Sequence, residues 1–170
     1  NLTDHYDPSA KVLRLSDSVY GSTSVAAIGV AAHECGHAIQ DQKSYAPLKI
    51  RGALVPVANF GSKIAWPLIM LGLLFSMGNF SVLIEIGILC FSLSVLFQLV
   101  TLPVEFNASS RALRILGDTG ILRTDELRDT KKVLSAAALT YLASLMTSLV
   151  FFLRFLVQVL TMFGRRDDRR

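Results

Sequence analysis

The sequence predicts a mainly α, integral membrane protein that carries a small N-terminal β-hairpin. Its 170 residues are 52% hydrophobic and have a mean hydropathy of +0.48, which is too apolar for an ordinary soluble domain. Charged residues nevertheless flank the apolar stretches in numbers that a bare bundle of membrane helices would not carry. We therefore expect membrane-spanning and membrane-adjacent parts in a single functional unit.

Residues 1–52 contain a hairpin pattern followed by a helix pattern. Residues 2–6 form one arm of the hairpin, the Asp-Pro-Ser-Ala sequence at 7–10 is typical of a turn, and residues 11–16 form an alternating second arm. The edge of such a hairpin can bind an extended peptide as an additional strand. The same pattern is equally consistent with an exposed hairpin that has only a packing role.

The helix pattern contains the most informative motif of the chain, His-Glu-Cys-Gly-His, which begins at His33. Hydroxyl residues at 22–24 can cap a helix, and residues 25–39 contain no Pro and much Ala. On that helix His33 and His37 share a face, so both rings can bind one metal ion at about 2.0–2.1 Å. Glu34, about 100° further round, can reach a water on that metal without being a ligand. Close packing of this helix is favoured by four small residues, Gly29, Ala31, Ala32 and Gly36.

The two cysteines do not resemble a disulfide framework. Cys35 lies about 200° round the helix from His33, so it faces away from the predicted metal, and Cys90 falls inside an apolar stretch. Both are interpreted as small buried apolar residues.

Residues 53–103 are predicted to form a transmembrane helical hairpin. Residues 64–77 are apolar, and the 23 residues 80–102 contain Glu85 as their single charge. At ~1.5 Å per residue the second stretch is about 34 Å long, enough to cross a hydrocarbon core of ~30 Å. The Gly-Asn pair at 78–79 is typical of a tight turn, so both ends of the hairpin should lie on one side of the membrane.

A third apolar stretch, residues 133–163, is interrupted only by Arg154 and is longer than one crossing requires. It can span at a tilt, or cross from about residue 134 to 153 and then follow the interface while Arg154 snorkels to the headgroups. A third interpretation places Arg154 in a functional pore. The basic tail at 164–170 follows.

Basic residues near the predicted crossings indicate the orientation. They are Lys43, Lys49, Arg51 and Lys63 before the hairpin, and Arg111, Arg114, Arg123, Arg128, Lys131 and Lys132 after it. Basic residues favour the cytoplasmic side, so we expect a multi-pass protein of the cell membrane with its motif on that side, although the tail argues the opposite way. The net charge of +4 requires no nucleic acid, because anionic lipid is the natural partner of basic membrane edges.

Two imidazoles leave a catalytic zinc ion short of one protein ligand, and the chain has few Glu residues to supply it. Glu85 lies a membrane thickness from the motif, and Glu126 lies in a charged stretch that resembles a solvated helix face. Glu105 follows the second span on the motif side, at the start of the connector 104–132, and is the preferred third ligand. The other interpretation of Glu105 is a carboxylate that begins a helix after Pro103. The alternative ligands are, in order, His5, Asp41 and Asp118.

Four segments of the chain together resemble the YugP-type membrane zinc metallopeptidases of bacteria. They are residues 33–40, 3–8, 12–16 and 102–109. The resemblance covers nearly the whole chain. It implies a neutral zinc peptidase of the cell membrane, with an additional N-terminal membrane helix. We expect residues upstream of this chain, because Asn1 is not an initiator Met and no signal peptide is present.

A looser similarity exists to the HtpX and CaaX prenyl protease group, which also separates its His-Glu-x-x-His motif from a Glu ligand by membrane helices. In that group an Asp follows the Glu ligand by four residues, whereas Ser109 occupies this position here. The residue that orients the zinc-binding histidines therefore stays open. The candidates are Asn107 and Asp4, and Ser109 itself is a further candidate for a contact to a histidine or to the oxyanion.

These observations imply peptide hydrolysis at one zinc ion bound by His33, His37 and Glu105 on a zincin-like helix. The zinc would lower the pKa of its water to about 7, and Glu34 would take the proton as that water attacks the scissile carbonyl. Glu34 would then pass the proton to the leaving amine. The candidate donors to the oxyanion are His5, Tyr45 and Arg111.

Two other functions remain open at this point. A membrane scaffold or adaptor would use a structural zinc site and bind partner helices through the hairpin. An ion transporter would place Glu85 and Arg154 on its pathway, but the spans lack internal repeats and broken-helix signals. The expected partners of the peptidase are a peptide or membrane-protein substrate and the bilayer, and further subunits are possible in each case.

Overall fold

The computed structural model describes residues 3–75 and 81–167, and within these ranges the chain forms two short strands and four helices. In chain order they are β1 (His5–Asp7), β2 (Val12–Arg14), α1 (Val25–Gln42), α2 (Ala46–Leu74), α3 (Ser81–Asp118) and α4 (Thr124–Asp167). The mainly α class with a small N-terminal hairpin is therefore confirmed.

The hairpin is antiparallel and shorter than its sequence pattern indicates. Its register pairs His5 with Arg14, Tyr6 with Leu13 and Asp7 with Val12. The Asp7 carboxylate closes the turn, because its Oδ1 accepts hydrogen bonds from the backbone N–H groups of Ser9 at 2.9 Å and Ala10 at 3.0 Å. These bonds, from Ala10 and then Ser9, lower the pKa of Asp7. Lys11 then takes a positive φ of 56°, which returns the chain into β2.

Helix α1 begins as its sequence predicts. Ser24 is the N-cap, and its hydroxyl accepts a hydrogen bond from the backbone N–H of Ala27 at 3.2 Å. The helix then continues unbroken through His33 and His37 to Gln42. The whole motif therefore lies on one rigid helix, as expected.

The first of two compact units contains the described residues of Asn1–Ile50 and Val100–Leu142. Its core contains the buried side chains of Ala32, Ala112, Leu116, Leu122 and Leu134. Glycines let α1 approach its neighbours closely: a Cβ on Gly36 would lie 2.4 Å from the Ala108 carbonyl oxygen of α3, and a Cβ on Gly29 would lie 2.8 Å from Thr130 Cγ2 of α4. The thin helix predicted from its small residues is thus used for close packing.

The second compact unit contains the described residues of Arg51–Leu99 and Ala143–Arg170. Small residues allow its helices to approach, since a Cβ on Gly61 would lie 3.0 Å from the Cys90 carbonyl oxygen and one on Gly87 would lie 2.5 Å from Ile69 Cγ1. Large apolar side chains are exposed instead, among them Phe60, Trp66, Leu74, Leu89 and Val150. A lipid environment favours this arrangement, in which small residues lie where helices contact one another and large apolar residues lie on the outer surface.

Within residues 3–75 and 81–167, three helices are long and apolar enough to cross a membrane, namely Ala46–Leu74, Val82–Asp118 and Thr124–Thr161. They are longer than the predicted apolar segments, because α3 passes through Pro103 and α4 already begins in the charged connector. Glu105 is consequently inside a helix, and its interpretation as a carboxylate that begins a helix is wrong. The turn expected at 78–79 lies outside the described residues.

Candidate metal centre

Three potential metal ligands converge between α1 and α3. His33 Nε2 lies 3.1 Å from Glu105 Oε2, and His37 Nε2 lies 3.6 Å from the same oxygen. One ligand atom from each of the three residues lies within 4.8 Å of the others. The two rings are one helical turn apart and meet edge to face at a centroid distance of 4.7 Å. Glu105 is the residue that elimination among the four Glu residues selected. It lies beside the histidine pair although it follows His37 by 68 residues in the sequence.

The spacing and chemistry of these groups fit a zinc ion. Ligand atoms around a tetrahedral zinc, each about 2.0–2.2 Å from the metal, are separated from one another by about 3.3–3.6 Å. The separation of 3.6 Å from His37 to the Glu105 oxygen falls within this range, and the separation of 3.1 Å from His33 lies about 0.2 Å below it. Glu105 is 3% exposed, and a carboxylate buried to this extent requires a positive partner.

His37 is held in the tautomer that metal binding requires. The Gln40 Nε2 group donates to the Val104 carbonyl oxygen at 2.8 Å and to Asn107 Oδ1 at 3.0 Å. Gln40 Oε1 is therefore left to accept from His37 Nδ1–H at 3.0 Å, which leaves Nε2, the nitrogen that faces Glu105, as the one that would bind a metal. Burial opposes protonation of His37, but the hydrogen bond and charge of Glu105 outweigh it and raise the pKa of His37.

His33 has a different partner for its second nitrogen. Its Nδ1 lies 3.1 Å from the Ser109 hydroxyl, one helical turn beyond Glu105 on α3. With zinc bound at Nε2, Nδ1 would carry the proton and donate it to this oxygen. The Ser109 hydroxyl is thus the hydrogen-bond partner of His33 Nδ1, a role for which the sequence had left several candidates open.

Gln40 is the residue that sequence reasoning missed. It is 0% exposed and joins α1 to α3 behind the metal cluster. The available signal was its position three residues after His37, which places it on the same helix face. Asn107 takes part indirectly, because its Oδ1 also accepts from Arg111 Nε at 2.7 Å.

Replacing Gln40 by Ala is expected to weaken zinc binding by about 10- to 100-fold, the usual effect of losing a partner that orients a zinc-binding histidine. Competition with a fluorescent zinc chelator measures this affinity. The matched control is Gln42→Ala, which removes the same side chain from an exposed site at the end of α1. Equal zinc affinities for the two variants would mean that Gln40 does not orient His37.

Glu34 lies beside the three candidate metal ligands and is held by the hairpin. It is 8% exposed, and its Oε2 accepts a hydrogen bond from the backbone N–H of Tyr6 at 2.8 Å. The Tyr6 hydroxyl donates to Asp41 Oδ2 at 2.7 Å, and Lys11 pairs with the same carboxylate. These two contacts, Lys11 first, lower the pKa of Asp41. The hairpin therefore fastens to the far end of α1 and positions the Glu34 carboxylate through a backbone group.

Within the described part of the chain, the remaining candidates are not members of the cluster of three. The alternative ligands His5, Asp41 and Asp118 are not in the cluster of three, and His5 Nδ1 instead lies 2.7 Å from the Thr3 carbonyl oxygen. The Tyr45 backbone N–H bonds to the Gln40 carbonyl oxygen at 2.9 Å at the end of α1. Asp4, a candidate partner of the histidines, accepts from the backbone N–H of Ser16 at 2.7 Å.

A cavity of about 220 Å³ opens beside the cluster. Its polar lining residues include His33, Glu34, Glu105, Ser109 and Asp4. The oxyanion donors considered from the sequence, His5, Tyr45 and Arg111, are not among its described lining residues, whereas Tyr141 of α4 is. The cluster is thus open to a molecule of limited size, unlike a structural zinc site whose ligands enclose the metal.

Comparison with known proteins gives two findings. A sequence profile of the family described as "putative neutral zinc metallopeptidase" matches residues 1–160. The chain is also 53% identical over 167 residues to a protein of Bacillus subtilis (strain 168) named "Putative membrane protease YugP", with 98% of this chain and 72% of that protein aligned. No solved structure matches the chain.

Proposed function

Because the chain belongs to the family of "putative neutral zinc metallopeptidases", we propose that it is a membrane-embedded peptidase that hydrolyses peptide bonds at one zinc ion. The observation that carries the proposal is the convergence of two histidines and a buried carboxylate beside an open cavity. The family name and the apolar helices support the zinc and the membrane, and the geometry supports the residue roles given below.

His33, His37 and Glu105 would hold the zinc ion, with the two rings oriented by Ser109 and Gln40. Zinc in such a site lowers the pKa of a water molecule to about 7 and polarises a carbonyl group. The three residues have to keep the spacing that the zinc ion needs. The hydrogen-bond partners of the two rings help to maintain that spacing.

Glu34 is the general base in this proposal. Its carboxylate accepts the proton of the attacking water and returns it to the leaving amine as the C–N bond breaks. The Tyr6 N–H occupies Oε2 of Glu34, which restricts the orientation of the carboxylate and leaves Oε1 to the reaction. Burial of Glu34 beside four other polar residues of the cavity, His33, Glu105, Ser109 and Asp4, keeps bulk water from competing for this role.

The setting of the reaction follows from the apolar helices and from the basic residues next to them. We propose a multi-pass protein of the cell membrane that works as one functional unit, with the metal centre on the cytoplasmic side. Its substrate would be a peptide or a membrane protein, and anionic lipids would bind the basic membrane edges. The proposal includes no nucleic-acid partner, and it allows further membrane subunits.

The test is zinc-dependent cleavage by detergent-purified protein. A mixture of unstructured peptides is incubated with the protein, and new amino termini are identified by mass spectrometry. We expect cleavage that stops when a chelator removes the zinc and returns when one equivalent of zinc is restored. One bound zinc per chain without any cleavage would contradict the peptidase and support the scaffold alternative.

A further inference from the structure

The cavity beside the candidate metal ligands also has apolar lining residues that the proposed chemistry does not use. They are Val30 of α1 and Leu134, Ala137 and Ala138 of α4. We call these four residues the apolar wall. Tyr141, one turn beyond Ala138 on α4, is also a lining residue. A water molecule and a peptide bond need only polar groups, so an apolar wall facing the site must meet another part of the substrate.

The wall is a continuous surface because its α4 residues follow helical spacing. Leu134, Ala137, Ala138 and Tyr141 stand at i, i+3, i+4 and i+7, and such residues share one face of a helix. Leu134 and Ala138 are each 3% exposed, so both are fixed by packing, whereas Ala137 is exposed. The position at 137 therefore borders open space, and the size of its side chain limits what can enter.

The volume of the cavity selects the size of the occupant. An apolar cavity of ~150 Å³ accommodates benzene, and one water molecule takes ~30 Å³. About 220 Å³ therefore holds one aliphatic or aromatic side chain together with the attacking water. A charged side chain would have to leave water and lie against the hydrocarbon groups of the apolar wall, which is costly.

We propose that the apolar wall binds the side chain of the residue next to the scissile bond, and that this residue is of leucine to phenylalanine size. The inference rests on the proposed function and adds to it the class of substrate. It assigns Ala137 as a specificity-determining residue, because a larger side chain at this position occupies the volume that the substrate side chain needs.

The matched variants are Ala137→Leu and Ala136→Leu. Both introduce the same side chain at neighbouring exposed positions of α4, but Ala136 is not among the described residues that line the cavity. The peptides form a series that differs only next to the cleavage site, with Ala, Leu, Phe, Asp or Lys at that position. The first measurement is kcat/KM for each peptide.

The wild-type protein should prefer Leu and Phe over Ala, Asp and Lys by at least about tenfold, the scale on which an apolar pocket discriminates. Ala137→Leu should reduce kcat/KM for Leu and Phe by about tenfold or more and leave the value for Ala within about threefold. Ala136→Leu should behave as the wild type. Preference for Lys or Asp, or an unchanged Leu to Ala ratio in Ala137→Leu, would overturn the inference.

A second measurement separates this inference from the proposed function. Binding of the same peptides to zinc-loaded Glu34→Gln protein, measured by calorimetry, requires no turnover. Tighter binding of the Leu and Phe peptides, lost in Glu34→Gln/Ala137→Leu, would support the role of the apolar wall. If the wild type then cleaved no peptide, only the proposed peptidase function would be rejected. Cleavage by the wild type without this binding preference would reject only the role of the apolar wall.

Discussion

Replacing Glu34 by Gln is expected to abolish peptide hydrolysis while one zinc ion stays bound. The amide oxygen of Gln can still accept the hydrogen bond from the Tyr6 N–H, so the side chain keeps its place beside the cavity. It cannot accept a proton from the attacking water, and loss of a general base typically costs 10²- to 10⁴-fold in rate. We expect kcat to fall by at least about 10²-fold with zinc content unchanged.

The control for this substitution is Glu126→Gln, which makes the same change outside the metal centre. Glu126 accepts a hydrogen bond from the Arg123 backbone N–H at the start of α4, and Gln can replace it there. This variant should retain wild-type kcat and zinc content. Wild-type activity in Glu34→Gln would exclude Glu34 as the base, and loss of zinc would make it a ligand.

The second large effect is expected from Gly36→Ala, a change of one methyl group. A Cβ at this position would lie 2.4 Å from the Ala108 carbonyl oxygen and 3.0 Å from the carbon of the same group. These are backbone atoms that cannot rotate away, so α1 and α3 must separate at the place where His37 and Glu105 meet. Overpacking of this kind costs roughly 1–3 kcal/mol in unfolding free energy.

Zinc affinity should respond more strongly than stability, because metal–ligand distances tolerate shifts of only about 0.2 Å. We expect zinc affinity to fall by at least tenfold, measured by chelator competition, and the midpoint of thermal unfolding to fall as well. The control is Gly52→Ala in α2, where a Cβ would meet no atom within 4 Å. There the change should be neutral or stabilising by about 0.5–1 kcal/mol. Wild-type zinc affinity in Gly36→Ala would contradict the close approach of the two helices.

Much of the candidate metal centre could be predicted, because it depends on local helix geometry and on the small number of Glu residues. Helical spacing alone places His33 and His37 on one face with Glu34 beside them, whatever the rest of the chain does. Glu105 could be selected because the chain has only four Glu residues and the other two outside the motif are badly placed. The three apolar helices follow from length and composition in the same way.

The contacts that orient these groups could not be predicted, because they join distant parts of the chain. Gln40 looks like any polar residue at a helix end until the Val104 carbonyl oxygen, 64 residues away, is found beside it. The bond from Tyr6 to Glu34 depends on how the hairpin packs, which its alternating pattern does not specify. Pro103 suggested a helix start, but α3 continues through it, because the loss of one backbone hydrogen bond does not end a helix that its neighbours support.

The direct test of the metal centre compares zinc binding by the wild type, Glu105→Ala and Glu85→Ala, each purified in detergent. Glu85 is the control, because it is an exposed carboxylate on the same helix. We expect one tightly bound zinc per chain in the wild type and in Glu85→Ala. In Glu105→Ala the zinc affinity should fall by more than the ~10- to 100-fold that an outer contact contributes. Wild-type zinc affinity in Glu105→Ala would contradict the site formed by His33, His37 and Glu105. If zinc binding were instead lost in His5→Ala, the third ligand would come from the hairpin.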